Sequence, residues 1–280
     1  MKDFTSVLSM KRDQRGELLA ALREVYDGQW SRILGSDGGR SLSWEGKLGI
    51  IAACTEAIES AHAVNAQMGE RFVYYRVPAA AEEQQARRVL SRSAAPGVRL
   101  ELRTEVKNLL DVEVDMDAPI VMDADTEARL VALASLAARC RSAVERDGYR
   151  REVDYVPEPE APARLAQCLG QVWRALRVLT VPRDEAWTVL LKLALDCMPG
   201  ARRRVFDVLM NAKAPGGYIT SNKVASESGR PETTCRRAVE DLVLHGVAEQ
   251  VRDREERFIY CRLSGWAREQ LRLATGEDHK

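Results

Sequence analysis

Histidine is scarce in this chain of 280 residues: there are three, far apart, and the six cysteines are scattered without a C-x-x-C pair. That spacing excludes the usual structural zinc site, and most of the cysteines lie in apolar runs, as small buried hydrophobes do. No stretch of about 18 apolar residues occurs and no leader peptide is legible, so the expectation is a soluble, cytoplasmic protein with no membrane partner. Net charge is absent too. Lys+Arg and Asp+Glu are both 42, so the whole chain gives no reason to expect an anionic partner. The distribution says more: between Ala201 and Arg272 stand 14 basic and 10 acidic residues.

What is present is ordinary core material. An apolar fraction of 45% over this length suits roughly two domains. Three regions are legible: residues 1–78, 79–200 and 201–280. In the first, Arg12–Gly28 repeats Leu18, Leu19, Leu22 and Val25 at helical spacing, and alternation about the turn SDGG predicts a β-hairpin from Trp30 to Trp44. LGIIAAC (Leu48–Cys54) is a continuous apolar run, which predicts a strand covered on both faces. GERFVYYRV (Gly69–Val77) reads as an apolar strand carrying two arginines. In the second region four segments repeat apolar residues every three or four positions: EEQQARRVLSR, TEARLVALASLAARCRSAVERDG, PARLAQCLGQVWRALRVL and PRDEAWTVLLKLALDCM. The stretch between the first two is less regular, and its acids Asp115, Asp117, Asp123 and Asp125 lack the glycine and terminal glutamate of a calcium loop, so they read as a solvated turn.

The third region has the clearest pattern. RRRVFDVLMNA is a helix, GGYIT a short extended piece, and Ser221 is placed to cap SNKVASES as a second helix. Gly229 turns the chain, Pro231 opens a third helix that Gly246 ends, and VAEQVRD–REE–RFIYCRL alternates as a hairpin before a closing helix. That order describes a winged helix-turn-helix. In such a motif the N-terminal residues of the second helix meet base edges in the major groove; here these are Thr233, Thr234, Arg236 and Arg237. Arg252, Arg254 and Arg257 sit on the wing, near phosphate or the minor groove. Ala238, Val239, Leu242 and Val243 face the core. The Arg202–Arg204 run reads equally well as a solvated helix start. The segment SGRPETTCRRAVEDLVLHGVAEQV is similar to the recognition segment of bacterial winged-helix regulators of the ArsR and MarR type.

Taken in order, a strand ending at Asp3, a helix, a hairpin, a strand ending at Thr55, a helix and GERFVYYRV resemble the second half of an AAA+ P-loop ATPase. Enhancer-binding activators, minichromosome-maintenance helicases and the ATPases of phages and integrating elements share that order. The resemblance implies a Walker B role for Asp3, with Phe4 where those families carry a second acid. It implies sensor 1 at Thr55, sensor 2 at Arg164, and arginine fingers at Arg71 and Arg76. An arginine offered to a neighbour's γ-phosphate stabilises the charge that develops there. Yet no G-x-x-x-x-G-K-[ST] occurs, so ATP and Mg²⁺ are expected only if a P-loop half is supplied, from a longer frame or a partner.

The expectation is therefore a mainly α protein: a partial α/β AAA+ core, a helical lid and a C-terminal winged helix. Its expected partners are double-stranded DNA and either a second copy or an intact ATPase subunit. No independent catalysis is expected, and on this reading either a truncated gene or a frame called from an internal start at Met1 would account for the missing half. Two other readings stand: the back half of an ATP-dependent motor, and a winged-helix transcriptional regulator that dimerises through its helical middle.

Overall fold

The computed structural model describes residues 3–34, 39–60, 72–78, 82–92, 96–111, 121–252 and 258–276. They are mainly helical, with small antiparallel sheets. Helices α1 (Thr5–Leu8) and α2 (Arg12–Tyr26) precede a hairpin of β1 (Gln29–Leu34) and β2 (Arg40–Glu45), and α3 (Ala57–Ser60) follows. Then come α4 (Glu82–Arg92), α5 (Pro96–Leu110), α6 (Ala124–Arg141), the short pair β3 (Glu145–Arg146) and β4 (Val153–Tyr155), α7 (Ala163–Val178) and α8 (Arg183–Asp196). The C-terminal unit comprises α9 (Gly200–Met210), β5 (Ile219–Thr220), α10 (Ser221–Ser228), α11 (Glu232–Leu244), β6 (Ala248–Arg252), β7 (Ile259–Leu263) and α12 (Gly265–Thr275).

Among the described residues, two of the three apolar cores share α6. Leu136 and Cys140 of that helix join Val205, Phe206 and Leu209 of α9, Val239 and Leu242 of α11, and Cys261 and Leu263 of β7. Its Leu130, Leu133 and Ala137 instead join Leu169 and Trp173 of α7 and Trp187 and Leu190 of α8. A helix apolar on nearly all sides belongs inside, and α6 is covered from both. Position 200 therefore separates elements that pack on one another. Asp123 caps α6 by accepting from the Thr126 amide at 2.7 Å, and it pairs with Arg183 at 2.9 Å. Those contacts hold its pKa down to about 2, with the Thr126 hydrogen bonds the larger cause. Thus Asp123 and Asp125, which also pairs with Arg183, are anchored rather than merely solvated. Asp115 and Asp117 lie outside the described residues.

Several expectations are corrected. The apolar run Leu48–Cys54 is not a strand: it has no regular structure, and Ile51 is 90% exposed. Asp3 itself lies outside any strand, and residues 72–78 form none; residues 1–2 and 69–71 lie outside the described residues. Among the described residues every strand pairing is antiparallel and no sheet exceeds three strands, so the parallel sheet that would cover such a run is not formed there. The α6 pattern was expected to run to Gly148, but the helix ends at Arg141. The Ser142 hydroxyl folds back onto the Ala138 carbonyl at 2.8 Å and accepts the Glu160 amide at 3.1 Å, turning the chain outward. The hairpin is as expected, with Trp30 opposite Trp44. Among the described residues no helix is long and apolar enough to cross a membrane.

Candidate nucleic-acid interface

The local order of the C-terminal unit follows from its punctuation. Thr220, not Ser221, caps α10: its hydroxyl accepts from the Lys223 amide, while the Ser221 hydroxyl donates to the Ile259 carbonyl and ties the helix to the sheet. Gly229 ends α10 at φ 63°, a left-handed conformation that favours glycine. Pro231 then opens α11, its carbonyl accepting the amides of Thr234 and Cys235. The sheet order is β5-β7-β6, with Ile219 opposite Cys261 and Ala248 opposite Leu263.

This frame fixes the two faces of α11. Cys235, Ala238, Val239 and Leu242 are buried, and Val243 packs against the same core, as the spacing predicts. Glu232, Thr233 and Arg236 are exposed, and Thr234 and Arg237 are partly so. Neither Arg236 nor Arg237 makes an ion pair among the described residues. The acids at the other end of the helix are held from within. Arg146, on β3, reaches Glu240 at 2.8 Å and Asp241 at 2.6 Å, and Arg202, on α9, reaches Asp241 at 2.9 Å. The outer, N-terminal half of α11 carries two guanidinia and two threonines, with Glu232 the one exposed acid, at the positive end of the helix dipole. A helix about 10–12 Å across fits the B-DNA major groove, about 12 Å wide.

Sequence reasoning missed this inner network. Arg202 is not a solvated helix start: it is 6% exposed, and beyond Asp241 it donates to the carbonyls of Cys140 at 3.1 Å and Ser142 at 2.5 Å. Arg203 turns to Asp207, and Arg204 alone of the three is exposed. The available signal was Phe206 with Val205 and Leu209, which places position 202 one turn before the buried face. His245 is also buried below α11. Its Nε2–H donates to the Ala143 carbonyl at 3.1 Å, and burial pushes its pKa down, which favours the neutral ring. On the hairpin, Arg252 is exposed at the end of β6, and Arg262 pairs with Glu249 at 2.7 Å and stacks on Tyr218. Arg254 and Arg257 lie outside the described residues.

The residues tied to the ATPase resemblance fall elsewhere. Asp3 is exposed and accepts from the Thr5 amide at 3.0 Å, at the start of α1. Thr55 lies beside it: its amide donates to the Thr5 hydroxyl at 3.2 Å, and the Phe4 amide donates to the Ala53 carbonyl at 2.7 Å. Arg164 is exposed in the first turn of α7, on a different element, and Arg71 lies outside the described residues. Arg76 is spent within its own chain. Its amide donates to Asp196 Oδ2 at 2.7 Å, Nε to the Asp196 carbonyl at 3.0 Å and Nη2 to the Met198 carbonyl at 2.8 Å, and Nη1 pairs with Glu59. Lys192 in turn donates to the Arg76 carbonyl at 2.9 Å. The group thus satisfies carbonyls at the end of α8 and pins residues 72–78 to it. That geometry makes Arg76 a clamp in place of a finger projected towards a neighbour.

No protein-family model, curated protein or solved structure matches the chain.

Proposed function

We propose that residues 200–276 are a winged helix-turn-helix that binds double-stranded DNA, with α10 and α11 as the helix-turn-helix, α11 in the major groove and β6–β7 as the wing. The observation that supports this most is the division of charge on α11: Glu240 and Asp241 are tied down by Arg146 and Arg202, while Arg236 and Arg237 face outward beside Thr233 and Thr234 and outnumber the one acid there, Glu232. Pairing with the buried Arg202 and the partly buried Arg146 also keeps those acids from opposing the phosphate backbone. Arg252 adds a phosphate contact from the wing. The reading stops at binding and gives residues 3–78 no part in nucleotide chemistry.

The test is fluorescence anisotropy of the full chain on duplex DNA over a salt series. Replacing Arg236 and Arg237 together by alanine is expected to weaken binding at least about tenfold and to flatten the dependence of log K on log salt by about 1–2. Unchanged affinity and slope would make the C-terminal unit a docking module for protein instead.

A further inference from the structure

Helix α5 carries its apolar residues outward. Leu102, Val106 and Leu109 are 61%, 55% and 60% exposed. At 3.6 residues per turn these three fall on one face with Val98 and form a continuous stripe, while Leu100 and Leu110, also exposed, lie off it. The stripe has unlike edges. Glu101 and Glu105 run along one side of it, and Arg99 and Arg103 run along the other.

Those edges select the occupant. When two such helices meet face to face and point the same way, the two-fold axis runs along them, and each acidic edge meets the other copy's basic edge. Pointing opposite ways, acid would meet acid and base would meet base. A lipid surface would favour basic residues on both edges, and nucleic acid would be repelled by the glutamate row. We propose that α5 pairs in parallel with α5 of a second copy of this chain, Val98, Leu102, Val106 and Leu109 forming the seam and the charged edges setting its direction. The inference stands apart from the DNA reading, because neither α5 nor its edges belong to the C-terminal unit. At 15 residues the seam is about 22 Å long, so the association is weak, with a dissociation constant in the micromolar range.

Sedimentation equilibrium of the full chain from about 1 to about 100 µM decides it. A monomer–dimer equilibrium is expected. Leu102→Glu with Val106→Glu should leave only monomer, and because both side chains are exposed in the single chain, the melting temperature should not change at concentrations where the wild type is also monomeric. Glu101→Lys with Glu105→Lys should weaken the dimer about tenfold, since basic edges then face each other across both seams. Mixing that variant with Arg99→Glu, Arg103→Glu should restore association as a heterodimer. A chain that stays monomeric at about 100 µM overturns the proposal. So does a dimer that survives Leu102→Glu with Val106→Glu, or binding of α5 to anionic vesicles in place of self-association. A dimer indifferent to the glutamate reversals overturns the parallel arrangement, since an antiparallel pair would merely exchange one like-charged edge for another.

Discussion

In residues 200–276 the apolar positions recur at helix and strand spacing, and most of them disappear into one core around Phe206, Leu242 and Cys261. Residues 39–60 carry apolar side chains too, yet Leu48 and Ile51 stay 54% and 90% exposed, and the neighbouring core of Phe4, Val7, Leu8 and Leu19 is small. The difference lies in what each pattern requires. Amphipathic helices and a hairpin fold over their own neighbours, a few residues away in sequence. A continuous apolar run must find flanking strands from elsewhere, and among the described residues none pairs with it. The C-terminal unit therefore supplies most of its own partners, with Leu136 and Cys140 of α6 completing its core, and the N-terminal segments do not.

The largest way to test that contrast is to hollow each core. Phe206→Ala, at a fully buried position, is expected to cost about 3–5 kcal/mol in denaturant unfolding. Leu19→Ala should leave the unfolding of the C-terminal unit unchanged, because Leu19 belongs to a separate cluster. If both substitutions shift a single transition together, the two regions are one cooperative unit and the contrast fails.

Next comes the ionic layer beneath α11. Arg202→Met removes donors from Asp241 and from two buried carbonyls, and about 3 kcal/mol of stability should go with it. A loss under about 0.5 kcal/mol would mean that Arg146 alone suffices to hold Asp241. Arg76→Ala is expected to cost less, about 1–2 kcal/mol, since the guanidinium is one-third exposed and water replaces part of what it satisfies. Its signature is local: hydrogen exchange should rise across residues 72–78 and at the end of α8 while α11 keeps its protection.

The smallest effect concerns His245. Its folded pKa is lowered from the ordinary 6.5, chiefly by burial, so the unfolded chain binds the proton more readily than the folded one. Stability is thus full above about pH 6.5 and declines as pH falls through that value. Melting curves from pH 7.5 to 5 should show the decline in the wild type and a flatter profile in His245→Gln. An identical slope in both would assign the decline to other groups. Asp123, held near 2, contributes nothing to the change in this window.

Much of the C-terminal unit was legible because local signals agreed: Gly229 before Pro231, Gly246 after α11, and alternation in β6 and β7 all point to the same boundaries. Both faces of α11 followed from spacing alone. The inner network was not legible, since Arg202 looks like any arginine at a helix start until β3 and the end of α6 are brought against it. The strand reading of Leu48–Cys54 failed for a related reason: an apolar run states a need for cover without naming what supplies it. Arg76 reads from the sequence as a finger because its partners Glu59, Asp196 and Met198 stand up to 122 residues away, and only the fold brings them together.

The central claim is that the outer face of α11 meets DNA, and hydrogen exchange measured on the full chain with and without duplex DNA tests it most directly. Protection is predicted for residues 230–237 and the end of β6 near Arg252, with α5 and residues 39–60 unchanged. Protection confined to residues 3–60, or none at saturating DNA, would contradict it.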